Sequence, residues 1–221
     1  MSGPPAAQHL PAAVIFDLDG TLVDTVDTRI QAWLDVFAEA GIPAEWQQVA
    51  MLIGSDGRRL AREVAGAAGI ELAEGRAELI DARSGEIFTA LNRDPRPLPG
   101  ARELLARLDA AEIGWAIATS SRREQVAASV AALELTGAPL IVDGTHVANA
   151  KPAPDLLLLA AARLGADPSR CWYIGDATPD MLAAVAAGMV PIGVTSGAVD
   201  EAALRSAGAE RVVASLSDLA I

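Results

Sequence analysis

Ala12-Ala13-Val14-Ile15-Phe16-Asp17-Leu18-Asp19-Gly20-Thr21 is the stretch on which the fold turns. Five apolar residues end abruptly in polar, glycine-containing sequence, the pattern of a strand buried on both faces of a parallel sheet and followed by its exit loop. Asp17 then stands at the strand's carboxyl end, where open α/β sheets bind their ligands. Taken alone, Asp-x-Asp-Gly-Thr also fits an ordinary turn, because Asp and Gly both favour turns.

Beyond this stretch, Val26, Ile30, Trp33, Leu34 and Phe37 recur at helical spacing until Gly41-Ile42-Pro43 stops them. Helical segments are expected near 44–52, 57–68 and 73–92, with no strand among them. Pro95-Arg96-Pro97-Leu98-Pro99-Gly100 breaks this block and reads as a linker back to the first strand's neighbourhood. From there strand and helix alternate. Strands are expected at Gly114 to Ala118, Pro139 to Val142, Cys171 to Ile174, Val190 to Val194 and Arg211 to Val213. Helices are expected near 100–111, 122–133, 154–164, 179–187 and 200–206. Such alternation predicts an α/β fold, a doubly wound parallel sheet, carrying a small all-helical cap inserted after the first strand. The expected division is a core of 1–22 plus 96–221 and a cap of 23–95.

Composition narrows the partners. A chain of 221 residues, 52% hydrophobic and 21% charged, suits a folded enzyme-sized unit, and no apolar run approaches the roughly 20 residues of a membrane span. The formal charge of -12 argues against nucleic acid and anionic membranes, which are held mainly by Lys and Arg. Met1-Ser2-Gly3-Pro4-Pro5 lacks a basic segment followed by a long apolar one, and Cys171 is the single cysteine. Both features point to the cytoplasm. Of the 17 basic residues only Lys151 is a lysine, which marks it for chemistry unless it is a chance surface residue.

Several expected strands end in residues suited to phosphate chemistry. The first ends in Asp17 and Asp19, another in Thr119-Ser120-Ser121, and a third in Gly175-Asp176 with Asp180 close behind; Lys151 follows the strand near 139–142. Carboxylates gathered at one edge with a single cation call for a metal, and oxygen ligands without His or Cys suit Mg²⁺. A carboxylate attacking a phosphate ester faces repulsion of about 4 kcal/mol for unit charges ~4 Å apart at an effective dielectric near 20. Mg²⁺, Lys151, Thr119, Ser120 and backbone amides would offset it. Asp17 is thus the candidate nucleophile, forming an aspartyl-phosphate, and Asp19 the candidate acid and base.

These residues carry a resemblance. The chain from about 12 to 214 is similar to the haloacid dehalogenase superfamily, in its phosphatase branch with a helical cap. Asp17-Leu18-Asp19-Gly20-Thr21-Leu22-Val23-Asp24-Thr25 resembles the first family motif, Thr119 the second, Lys151-Pro152-Ala153-Pro154-Asp155 the third and Gly175-Asp176-Ala177-Thr178-Pro179-Asp180 the fourth. The resemblance implies Asp17 as nucleophile and metal ligand. It implies Asp19 as acid/base with its main-chain carbonyl on the metal, Asp176 as a direct Mg²⁺ ligand and Asp180 as a carboxylate orienting a bound water or Lys151. Thr119 and Lys151 would hold the phosphoryl group of a small phosphate monoester, as in phosphoglycolate phosphatases.

Other readings lie close by. A sugar phosphomutase of the β-phosphoglucomutase type would use the same residues, whereas a dehalogenase needs neither Asp19 nor Asp176. A phosphonoacetaldehyde hydrolase needs a cap lysine, which this chain lacks, and a catalytically silent binding module would not need every chemical position filled. In the cap, Ile53-Gly54-Ser55-Asp56-Gly57-Arg58-Arg59 reads as a polar turn able to reach over the site, and Arg58 is nominated for substrate specificity. Trp115, Trp172, Met189 and Cys171 are expected in the core, and His146 in a loop.

Overall fold

The computed structural model describes residues 10–221. The reading of Met1 to Pro5 therefore falls outside the described residues. Strand β1 (Ala13–Phe16) lies near the middle of a six-stranded, all-parallel sheet. Its companions are β4 (Gly114–Ala118), β5 (Ile141–Val142), β6 (Cys171–Gly175), β7 (Val190–Val194) and β8 (Arg211–Val213), in the order β5-β4-β1-β6-β7-β8. Helices α5 (Ala101–Ala110), α6 (Arg123–Ala132), α7 (Asp155–Leu164), α8 (Thr178–Ala186) and α9 (Glu201–Ser206) make the crossovers.

The strand's alternation explains its burial on both faces. Val14 and Phe16 join Leu104, Leu105, Ile117 and Ile174 in one cluster, while Ala13 and Ile15 pack with Leu156, Ala160 and Tyr173 on the opposite face. Register then positions chemistry. Phe16 pairs with Ile117 on β4 and with Ile174 on β6, so the next residues of all three strands emerge at one edge. Asp17 N–H donates to Ile174 O at 2.9 Å and Thr119 N–H to Val142 O at 3.0 Å, carrying the ladder one residue past each strand.

The insertion contains α1 (Val26–Ala40), α2 (Trp46–Ala50), α3 (Gly57–Ala67) and α4 (Glu74–Leu91). Ile30, Trp33, Phe37, Leu60, Val64 and Ile80 form a cluster of their own. Two expectations need correction. The cap of 23–95 is expected to be all-helical and 95–100 to be a linker, yet β2 (Val23–Asp24) pairs antiparallel with β3 (Arg96–Pro97) where the chain enters and leaves the helices. Neither strand is long enough to show a period of two, and proline is tolerated because the ladder has free edges. The strand expected from Pro139 starts only at Ile141. Cys171 and Met189 are buried as expected, but Trp115 and Trp172 are only half-buried, lying against the core. His146 lies in the short 3₁₀ turn Gly144–His146. Among the described residues no helix is long and apolar enough to cross a membrane.

Candidate active site

Lys151, in the loop between β5 and α7, is fully buried, and its Nζ donates to three oxygens. These are Asp17 Oδ1 at 2.7 Å, Asp180 Oδ1 at 2.7 Å and the Tyr173 hydroxyl at 3.2 Å. All three ammonium protons are thereby used. Burial favours the neutral amine, but Asp17 and Asp180 more than reverse this and hold the Lys151 pKa above its usual value. Among the described residues, the only cationic side chain paired with Asp17 and Asp180 is the only lysine of the chain.

Asp180 sits in the first turn of α8, where its Oδ2 accepts from Ala177 N–H at 3.0 Å. Its Oδ1 also accepts from the Tyr173 hydroxyl at 2.9 Å, so both oxygens are engaged within the protein. Asp176, at the end of β6, accepts from Thr21 Oγ1 at 2.6 Å. Gly20, at φ +85°, leaves room for it, since a Cβ there would lie 2.4 Å from Asp176 Oδ2. Asp17, Asp176 and Asp180 bring carboxylate oxygens within 4.8 Å of one another, all buried. Burial, opposed by Lys151 and reinforced by Asp180, pushes Asp17 up to about 7. Burial, with Asp180 and Asp17 beside it, likewise raises Asp176 well above its ordinary range. Three anionic positions facing one ammonium leave negative charge to be neutralised, and a purely oxygen donor set fits a hard divalent cation.

Asp19 points elsewhere. Its Oδ1 accepts from Thr25 Oγ1 at 2.7 Å, and its Oδ2 from Arg29 Nη2 at 2.8 Å and Ser121 Oγ at 3.0 Å. Burial alone would raise this carboxyl, but Arg29, Thr25 and Ser121 together hold it below the usual carboxylate range. Two aspartates two residues apart are thus driven in opposite directions. Arg29 comes from α1, and its guanidinium lies 3.4 Å from the centroid of the Phe88 ring.

Asp17, Asp19, Thr119, Ser120 and Lys151 line one cavity of about 50 Å³; Asp176 and Asp180 do not line it, but their carboxylate oxygens lie within 4.8 Å of that of Asp17. Ser120 Oγ donates to Gly54 O at 2.9 Å, tying the sheet edge to the cap. The side chain of Asp19 is not part of the carboxylate cluster. Arg58 does not line the cavity. It is paired with Asp56 at 2.8 Å and donates to Ala148 O at 3.2 Å, bridging the cap to the core loop that carries Lys151. Sequence reasoning passed over Arg29, Tyr173 and Asp81. Tyr173 was findable as the chain's only tyrosine, placed two residues before Gly175; Arg29 lies one helical turn past Thr25.

Residues 14–194 match the family described as haloacid dehalogenase-like hydrolase. Hexitol phosphatase A of Escherichia coli K12 is 34% identical over 185 residues, covering 82% of each chain. The β-phosphoglucomutase of Bacillus subtilis is 31% identical over 220 residues, covering 95% of this chain and 92% of that one. Protein SUPPRESSOR OF QUENCHING 1, chloroplastic, of Arabidopsis thaliana is 32% identical over 216 residues, of which this chain spans only 20% of the length. Among solved structures, a hydrolase from Pseudomonas syringae superposes with a TM-score of 0.89 at 35% identity, over 93% of this chain and 94% of that one. With a family match across most of its length, set on a sheet edge of the geometry above, this chain belongs to the haloacid dehalogenase-like hydrolase family and is an enzyme of the phosphatase kind.

Proposed function

We propose that this protein is a Mg²⁺-dependent phosphatase that hydrolyses a small phosphate monoester metabolite through an aspartyl-phosphate on Asp17. The observation that carries this reading is the buried ion pair of Asp17 and Lys151 at 2.7 Å, inside a cluster of three carboxylates. Asp17 and Asp176, with the Asp19 main-chain carbonyl, would hold the ion. Asp180 is engaged at both oxygens and suits the role of orienting Lys151 and a bound water. The ion would supply positive charge against the repulsion between the carboxylate and the ester.

An Asp17 carboxylate oxygen attacks phosphorus, and the bond to the leaving oxygen breaks as Asp19 delivers a proton to it. Lys151, Thr119 and Ser120 bind the phosphoryl oxygens. Water then attacks the phosphorus of the aspartyl-phosphate while Asp19 takes its proton, and Asp17 is released with inorganic phosphate. The clasp of Arg29, Thr25 and Ser121 favours ionised Asp19, the form this second step needs. The division into a core of 1–22 plus 96–221 and a cap of 23–95 agrees with the separate hydrophobic cluster of the insertion and with the β2–β3 ladder at its base. A single buried Cys171 suits a reducing cytoplasm.

The test follows phosphate release from an aryl phosphate with Mg²⁺ and with EDTA, for wild type and Asp17→Asn. Turnover that survives EDTA, or an active Asp17→Asn protein, overturns the mechanism. Isomerisation of a sugar phosphate without net phosphate release would favour a phosphomutase instead.

A further inference from the structure

The cavity wall opposite Asp17 is built by the cap, and its charged groups are accounted for with one exception. The two cationic groups lining the cavity, Lys151 and Arg29, are spent on Asp17 and Asp180 and on Asp19, Ser121 and Gln125. Ser84 Oγ donates to the Asp81 main-chain carbonyl at 2.9 Å. The exception is the side chain of Asp81 on α4. Its Oδ2 lies 3.3 Å from Arg122 Nη2, a group that also pairs closely with Glu78. Its Oδ1 accepts no hydrogen bond among the described residues, and it packs against Gly57, where a Cβ would come within 1.9 Å of it. The missing side chain at 57 is what gives this carboxylate its place. Burial, only partly offset by Arg122, raises the Asp81 carboxyl above its usual range, the mark of an anion short of donors.

Resting on the phosphatase reading above, we propose that Asp81 is a substrate-specificity residue whose free carboxylate oxygen accepts hydrogen bonds from hydroxyls of the leaving group. The substrate class is then a polyol or sugar phosphate. A phosphorylated carboxylic acid such as 2-phosphoglycolate is disfavoured, because its carboxylate would meet Asp81 with no unengaged cation to receive it. Hydroxyls supply the donors that Asp81 lacks, and hydrogen bonds to ionised acceptors are among the stronger ones. A site built to bind hydroxyls also rejects ligands without them.

The experiment compares kcat/KM for glycerol 3-phosphate, sorbitol 6-phosphate, 2-phosphoglycolate and O-phosphoethanolamine in wild type, Asp81→Asn and Asp81→Lys. Because the readout is a ratio between substrates on one protein, loss of folded enzyme cancels. Wild type is expected to favour the better polyol phosphate over 2-phosphoglycolate by about tenfold or more. That ratio should shrink in Asp81→Asn, where Arg122 keeps Glu78 as partner, and reverse in Asp81→Lys. A wild-type preference for 2-phosphoglycolate or O-phosphoethanolamine, or a ratio equal in all three proteins, overturns the assignment. An aryl phosphate measured alongside separates the two levels: wild type inert towards it with Mg²⁺ removes the phosphatase reading and this inference together, whereas turnover without polyol preference removes only the inference.

Discussion

The sheet edge and the cap face the same cavity, yet they handle charge in opposite ways. At the edge, Lys151, Asp17, Asp176 and Asp180 are all buried, and the ammonium touches Asp17 and Asp180 directly. Removing one member leaves its partner stranded in a low dielectric. On the cap, the ion pairs of Arg83 with Glu39 and Glu86, or of Arg59 with Glu63, sit about half-exposed, where water screens them. The contrast teaches where the reaction is committed and where it can vary. Ladder hydrogen bonds pin the edge to the register of β1, β4 and β6, whereas the cap meets it through a few contacts such as Ser120 to Gly54 and Arg29 to Asp19.

Substitutions at the edge should have the largest effects. Asp17→Asn should lower kcat on the order of 10³-fold or more while the protein remains folded by circular dichroism, because the nucleophile is lost and its shape kept. Substantial residual turnover would place the nucleophile elsewhere. Lys151→Met should cost about 3–5 kcal/mol by stranding two carboxylates, a fall in Tm on the order of 10 °C for a chain of this size. An unchanged Tm would break the idea that edge charges are mutually dependent.

Where cap meets edge, the effects should be intermediate. Arg29→Gln should release Asp19 from its strongest ion pair, so that burial raises its pKa and, where hydrolysis of the aspartyl-phosphate needs ionised Asp19, the acid limb of kcat moves to higher pH, with kcat reduced about tenfold. An unmoved limb would detach Arg29 from Asp19. The metal-free protein should also show the edge's charge excess in its pH dependence. Asp17, pushed from an ordinary 3.8 to about 7, keeps its proton when folded at pH values where the unfolded chain has lost it. The folded state therefore binds more protons between about pH 4 and 7, and stability should fall as pH rises through that window, with Asp176 acting in the same direction. Mg²⁺ selects the ionised carboxylates, so its gain in Tm should be larger at pH 7.5 than at pH 5; equal gains would argue against binding at this cluster. On the outer cap, Arg83→Ala should change neither Tm nor turnover measurably, and a clear loss there would erase the contrast between the two regions.

Much of this was legible in advance. Apolar runs of four or five residues ended by Asp, Thr or Gly marked β1, β4 and β6 within one residue of their observed limits, because a strand buried on both faces has no other sequence available to it. The β2–β3 ladder was hidden because two residues per strand leave no period to read. Arg58 was nominated from its place in a polar turn, but that turn directs Arg58 back onto Asp56, the side chain that caps α3. Asp81 looked like any charge on an amphipathic helix, and only the packing of α3 against α4, with Gly57 at the contact, brings it to the cavity.

By itself, the sequence determined the sheet and the helical insertion, and it marked Asp17, Asp19, Lys151, Asp176 and Asp180 as candidates for one site, since periodicity and motif spacing are local properties of the chain. Only the tertiary structure decided how those groups share their charge. Arg29 reaches Asp19 across 10 residues, Ser121 across 102, and Lys151 reaches Asp180 across 29, so each pKa is set by neighbours that register and helix packing supply rather than by the residues alongside in sequence. Asp17 is driven up and Asp19 held down for that reason, although two positions in the chain are all that separate them.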